Sequence, residues 1–361
     1  MTAEPGSGAP DDLVGESRDF ELRLRDPLST AAGTIEAREG TLVRIESAGR
    51  GDGAVGVGEA APLPGWTESP GACREAIEVA LDRLETNGAE AALAETEGFP
   101  AARHAVSLAL LDREARAAGD PLYRHLGPAD APAVGSVPVN ATAGDGRIMD
   151  TVRAAREAAD AGFDTLKIKV GAREIATDAG RLEAISSEVS RDLRLRADAN
   201  GAWSRREARL AADALPDLEY VEQPLDPDDL EGHADIRSRT PVALDETLVD
   251  HAVAAIVEAG AADVVVLKPM VLGGIDRAWT AAARAREAGV DPVITTTIDG
   301  VVARTAAVHL AAALRVDRAC GLATADRLET DLAPDPTRVS GGRIAVPDKA
   351  GTGVSVAWPA E

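Results

Sequence analysis

Four lysines occur in this chain of 361 residues, and three of them, Lys167, Lys169 and Lys268, lie in short apolar segments of its second half. Lys is normally among the commonest residues of a soluble protein, yet the other 34 of the 38 basic side chains here are arginines. Arg stays charged at any workable pH, whereas a buried Lys can lose its proton and act as a base. Between these lysines stand three carboxylates, Asp198, Glu222 and Asp245, and the steps from Lys169 through them to Lys268 are 29, 24, 23 and 23 residues. Three carboxylates with no nearby His or Cys suit a hard divalent cation, Mg²⁺ with waters completing its shell, and Mn²⁺ fits the same oxygens. A carboxylate substrate on that cation would have its α-proton acidified. Lys169 is the candidate base. Lys167, two residues earlier and on the same side of a strand, disfavours protonation of its neighbour. Lys268, on the far side, would stabilise the enediolate. The chemistry is proton abstraction next to a carboxylate, performed on a small-molecule carboxylate substrate.

The elements that must position these groups are legible in the pattern. From about residue 136, short apolar runs alternate with Ala/Arg/Glu-rich helical stretches at roughly 25-residue spacing, the repeat of a (β/α)8 barrel. The strand candidates are VPVNAT, FDTLKIKV, LRLRAD, LEYVEQ, VALDE, DVVVLKP and DPVITTT, with CGLAT as a short eighth. Each charged residue then falls at the C-terminal end of its strand, around one mouth, where barrel active sites lie. Any one of them alone would be an ordinary strand-end ion pair; six in phase with one repeat are a site. An open doubly wound sheet is the rival fold, but VNATAGDGR is a poor phosphate-binding turn after the first strand. Residues 18–134 read as an α+β domain: FELRLRDPL and GTLVRIESAG alternate as strands, then CREAIEVALDRLE and AARHAVSLALLDREARAAG have helical spacing. The barrel spans 135–339, and residues 340–361 form a terminal strand and loop returning to the first domain. Residues 1–17, acidic and rich in Gly and Pro, read as a flexible tail.

Composition bounds the partners. With 61 acidic against 38 basic residues the net charge is −23, which repels nucleic acid and anionic membrane. Scattered carboxylates with Lys depleted suit a cytosol of high salt, where screening limits their repulsion. The N-terminus has neither a basic nor an apolar signal region, and no apolar run is long enough to cross a membrane. A cytoplasmic enzyme is expected, with a homo-oligomer allowed. Cys73 and Cys320 are isolated and define no metal site or disulfide framework.

Other residues could enter the site. Asn200, two after Asp198, could face it, and Glu246 adjoins Asp245 and could orient the network. Arg196, two before Asp198, points into the barrel and needs an anion, either a substrate carboxylate or a partner within the core. Thr296 and Thr297 could hydrogen-bond a substrate carboxylate. The five histidines fall in helices or linkers, as packing or surface residues.

TLKIKVG (165–171), LRADANGAW (195–203), EYVEQPL (219–225), ALDETL (243–248) and VLKPMVLGG (266–274) together resemble the enolase superfamily, and within it the muconate lactonizing subgroup. The resemblance implies a (β/α)7β barrel with an N-terminal α+β capping domain, in which GEAAPLPGW (58–66) looks like a substrate-covering loop. It also implies Mg²⁺ held by Asp198, Glu222 and Asp245. VLKPMVLGG, TTTIDG (295–300) and ARHAVSLALLD are most similar to the o-succinylbenzoate synthase family. That similarity implies dehydration of 2-succinyl-6-hydroxy-2,4-cyclohexadiene-1-carboxylate in menaquinone biosynthesis. Lys169 would take the α-proton and assist departure of the hydroxyl, and Lys268 would stack its ammonium on the substrate ring. The alternative in the same subgroup is an N-acylamino acid racemase or dipeptide epimerase, with Lys169 and Lys268 as opposed bases. Dipeptide epimerases resemble one another in an Asp-x-Asp element near strand eight, where GLATADRLE has Asp326 alone.

Overall fold

A computed structural model describes residues 13–30, 33–48, 53–128, 130–189 and 193–358. Strands β1 (Leu13–Thr30), β2 (Gly33–Ser47) and β3 (Val55–Ala60) form an antiparallel sheet in chain order. Helices α1 (Pro70–Asn87), α2 (Ala89–Glu95), α3 (Pro100–Ala118) and α4 (Leu122–Leu126) follow it. The sheet lies so close to α3 that a Cβ on Gly56 or Gly58 would sit 1.9 Å from a helix carbonyl, Ala109 O or Ala105 O. The alternating glycines of VGVGEA are therefore required by this contact rather than by a turn. Residues 13–17 are not part of a tail. Leu13–Ser17 pair with Val43–Ser47, because Leu13 is buried beside Leu81, Leu84 and Ile45. Residues 1–12 lie outside the described residues.

The second part is the barrel. After β4 (Ser136–Pro138), strand β5 (Ala141–Ala143) and helix α5 (Ile148–Asp160) begin the repeat. It continues with β6 (Thr165–Lys169), α6 (Ile175–Glu188), β7 (Arg194–Asp198), α7 (Arg205–Ala214), β8 (Tyr220–Glu222) and α8 (Leu230–Arg237). It ends with β9 (Val242–Leu244), α9 (Val253–Ala259), β10 (Val264–Leu267), α10 (Pro269–Leu272), α11 (Ile275–Glu287), β11 (Asp291–Ile294) and α12 (Val301–Leu314). Strands β5 to β11 form one parallel sheet in sequence order. The expected eighth strand is reduced to Cys320 and Gly321. Gly321 N donates to Ile294 O at 2.9 Å, and Cys320 N donates to Pro138 O at 2.8 Å. Asn140 N in turn donates to Cys320 O at 3.1 Å, so these two residues join the last strand to the first and close the ring. The C-terminal strand differs in place from the expectation. β12 (Val339–Ser340) pairs with β13 (Arg343–Ala345), which pairs with β4, and the residues beyond them return to the first domain. There Thr352 N donates to Asp112 at 2.6 Å and Arg116 to Val354 O at 2.7 Å.

The two parts are joined through buried titratable side chains. Glu59, at the end of β3, accepts from Gly300 N at 2.6 Å and Ala303 N at 3.0 Å, capping α12 across the junction. Arg38 on β2 donates to Ala61 O, Pro62 O and Thr297 Oγ1. Burial, reinforced by nearby Asp299, pushes the Glu59 carboxyl up to about 8. The folded state thus favours the protonated form relative to an unfolded chain, whose carboxyl titrates near 4.5. This contribution to stability is fully present below that value and is lost as pH rises through about 8. Urea unfolding should therefore show wild type falling behind Glu59→Gln by on the order of 3 kcal/mol between pH 5 and pH 8.5. A constant difference between the two proteins would contradict this.

Candidate active site

Side chains alternate along a strand, so every second residue of each barrel strand points to the axis. Tyr220, Ala243, Val264, Val266 and Val293 pack together there as an apolar floor. Above it β6, β7 and β8 carry charge. Lys169 is registered with Asp198, and Asp198 with Glu222, so the three stand at one level. Asp245 directly follows β9 and Lys268 directly follows β10. In a ring of eight positions β6 and β10 are four apart. Lys169 and Lys268 therefore face each other across the mouth, with the carboxylates on the arc between them.

Each carboxylate is bonded to a lysine. Lys167 Nζ donates to Glu222 at 2.7 Å and lies 2.8 Å from Asp198. Lys169 Nζ donates to Asp198 and to Asn200 Oδ1, both at 2.6 Å. Lys268 Nζ donates to Asp245 at 2.6 Å. Burial opposes the charge on Lys167, but Asp198, Glu222 and Asp245 outweigh it and hold its pKa well above the usual lysine value. Burial also works against the Asp198 carboxylate, yet Lys167 and Lys169 together keep it below its usual range. Glu222 goes the other way: burial, with Asp198 and Asp245 adding repulsion against the pull of Lys167, pushes it up to about 7. Burial likewise raises Asp245 and Glu246. Of the three lysines, Lys169 opens most to the mouth, with 38% of its side chain exposed.

The family profile described as "Enolase C-terminal domain-like" matches residues 150–360, more than half of the chain. The chain belongs to the enolase superfamily. It is 31% identical to the L-Ala-D/L-Glu epimerase of Bacillus subtilis over 94% of its own length and 95% of the relative's. A crystal structure of the dipeptide epimerase from Enterococcus faecalis, complexed with Mg and the dipeptide L-Leu-L-Tyr, superposes with a TM-score of 0.81. It is 31% identical and covers 95% of this chain and 99% of that one. The o-succinylbenzoate synthase of Thermobifida fusca is 38% identical, over 57% of this chain and 65% of the relative.

The superfamily scaffold brings most of the expected residues together and sets others aside. Asn200, at a φ of 45°, bonds Lys169 and also donates to Glu246 Oε1 at 2.8 Å. Arg196 is a core residue of the floor. It donates to Glu219 and to Ala319 O, both at 2.7 Å, and lies over the Tyr220 ring at 4.6 Å. Of its two anticipated anions, the partner within the core is the one present. Thr296 faces Thr324 of the closing segment at 3.0 Å. Thr297 is spent on the domain junction, bonded to Asp299 and Arg38, so its hydroxyl does not face the mouth. Lys349 is exposed in the C-terminal loop.

Two supporting residues carry weaker sequence signals. Gln223, at a φ of 40°, is fully buried and accepts from Asp245 N and Thr247 N at 3.1 and 3.2 Å, fixing the turn that presents Asp245. Only its place directly after Glu222 hinted at it. Trp66, in the covering loop, lies with its ring centroid 3.5 Å from Lys268 Nζ. The protein's own indole thus gives Lys268 a cation–π partner.

Among the described residues no three Asp, Glu, His or Cys side chains are gathered closely enough to form a metal-binding group as placed, each carboxylate being drawn to its lysine. The donors nevertheless fit Mg²⁺. Three buried carboxylates stand on neighbouring strands, and Asp245 Oδ1 and Glu246 Oε2 are buried without a hydrogen-bond partner. An oxygen-only set of this kind suits a hard cation.

Lys167 binds two buried carboxylates, and removing one side of a buried ion pair costs about 3–5 kcal/mol. Lys167→Met should destabilise the apo protein by about that much in urea titrations. A loss under about 1 kcal/mol, the usual worth of an exposed pair, would show that the cluster is not held by this ammonium.

Proposed function

We propose that this enzyme is a two-base racemase or epimerase acting on a carboxylate substrate whose α-carbon bears an acylated nitrogen, a dipeptide or an N-acylamino acid. The observation that carries this reading is the placement of Lys169 and Lys268 on opposite sides of the mouth, with three carboxylates between them. Near full-length similarity to the Bacillus subtilis epimerase supports it.

Asp198, Glu222 and Asp245 would hold Mg²⁺. When bound there, the ion would acidify the α-proton of a substrate carboxylate and offset the charge that develops. Lys169, aligned by Asn200, removes the α-proton from one face. Lys268 delivers a proton to the other face, and the roles reverse for the opposite antipode. In the cation-free protein Asp198 and Glu222 hold Lys167 protonated between them.

A second reading, o-succinylbenzoate synthase, rests on the 38% identity to the Thermobifida fusca enzyme and on VLKPMVLGG. It would use Lys169 in the same role and leave Lys268 as a fixed cation.

The two readings separate in one experiment. L- and D-forms of N-succinylamino acids and of dipeptides are incubated with enzyme and Mg²⁺ in D₂O, beside an assay for o-succinylbenzoate. Wild type should exchange the α-proton of both antipodes. Lys169→Arg and Lys268→Arg should each lower racemisation by roughly 10²–10⁴-fold, while each leaves exchange on the face served by the other lysine. Production of o-succinylbenzoate with neither antipode exchanged would establish the synthase instead.

Mg²⁺ should also stabilise the fold, by about 2.7 kcal/mol at a hundredfold excess over Kd, as a rise in Tm that EDTA reverses. Asp198→Asn and Asp245→Asn should lose that rise; its retention in both would remove these carboxylates from the metal site.

A further inference from the structure

Each opposed lysine has two partners, and the pairs are not equivalent. Lys169 is held by Asp198 and by Asn200, both in the barrel. Lys268 is held by Asp245 and by the face of Trp66, which belongs to the capping domain. Asp198 and Asp245 are shared with the proposed cation site. The partner that each lysine does not share is therefore Asn200 in one case and Trp66 in the other. Without that partner Lys268 is an unbranched chain with four rotatable bonds and no second restraint on its ammonium.

The loop that carries Trp66 is built to present it. Gly65 supplies a φ of 86°, and Trp66 N donates to Leu63 O at 2.9 Å. Leu63 N donates to Thr67 Oγ1 at 2.8 Å. On one side the loop is fixed by Arg38, through Ala61 O and Pro62 O. On the other, Glu68 accepts from Ala101 N and Ala102 N at the start of α3, at 3.1 and 2.8 Å. Only 12% of the Lys268 side chain is exposed beneath it.

We infer that Trp66 is a positioning residue for Lys268, so that chemistry on the Lys268 face depends on the capping domain while chemistry on the Lys169 face does not. The inference rests on the two-base reading for its kinetic consequence, but not for its structural one.

The scarcity of lysine makes the structural consequence directly measurable. Brief acylation with acetic anhydride, followed by peptide mass spectrometry, is read at the four lysines, with exposed Lys349 as the internal standard. Trp66→Leu should raise labelling of Lys268 several-fold relative to Lys349 and leave Lys169 unchanged. Trp66→Phe, which keeps an aromatic face, should restore most of the protection. Equal labelling of Lys268 in all three proteins, or a parallel rise at Lys167 and Lys169, overturns the inference.

The kinetic arm follows α-proton exchange from each antipode, with the Lys268 face assigned by Lys268→Arg. Trp66→Leu should slow exchange on that face about tenfold and change the other less than about twofold, with Trp66→Phe close to wild type. Equal loss on both faces means a general effect of the loop and overturns the inference. If wild type exchanges neither antipode, the two-base reading fails, and the labelling result still decides whether Trp66 positions Lys268.

Discussion

Burial of Asp198, Glu222 and Asp245 at adjacent strand ends is the constraint on which the rest of this structure depends. Taking a carboxylate out of water costs several kcal/mol unless another charge meets it. Here three ammonium groups meet three carboxylates, each within 2.6–2.8 Å. The balance explains why these lysines persist in a chain that, Lys349 aside, otherwise uses arginine. A guanidinium is broad and planar and cannot give up its proton, whereas an ammonium is compact enough to stand between two acids and can. The cluster is thus stable as it stands, and a divalent cation held by the three carboxylates would replace ammonium groups there.

The same constraint shapes the surroundings. Charges of this kind are tolerable only where backbone geometry fixes them, and the two strand-end turns that do so are strained. Asn200 and Gln223 both take positive φ, and both use their side chains to bind neighbours of the cluster. The capping domain adds a second layer of buried titratable side chains, Glu59 and Arg38, that seats it on the barrel. The loop between those two anchors and Glu68 carries the aromatic ring that lies against Lys268. Attachment of the domain and organisation of the site are therefore physically one arrangement.

How much of this was legible in the sequence follows the range of the interactions. The barrel repeat is local, each βα unit carrying its own apolar period, so the seven strands and the residues at their ends could be placed from sequence. The eighth strand could barely be seen because two residues do its work, and a closing segment needs only enough backbone to bridge its neighbours. The first strand was missed at its start because Gly15 and the acidic residues around it read as tail, while the reason for order is Leu81 and Leu84, some seventy residues away. Arg196 points inward as its strand phase requires, but phase does not say how deep a residue sits, and it could not show that the capping domain claims the Thr297 hydroxyl. Trp66 was hidden for the same reason: its partner lies two hundred residues further on.

The choice between elimination and epimerisation was the least legible, and the cause is chemical. Both proposed reactions would begin with Lys169 removing a proton from the carbon next to a carboxylate, so the motifs around Lys169, Asp198, Glu222 and Asp245 would serve either equally. They part at the second step, where one reaction needs a leaving group on the face of the first base and the other needs an acid on the opposite face. Short motifs can therefore favour one reaction while similarity along the whole chain favours the other. What can decide is the environment of Lys268. A lysine that only balances charge needs proximity, and Asp245 alone would supply that. A lysine that must hand a proton to one carbon atom needs a direction as well, and the rigid loop bearing Trp66 supplies a direction. On the proposed reading, that second restraint adds to what the opposed placement of Lys169 and Lys268 already supplies.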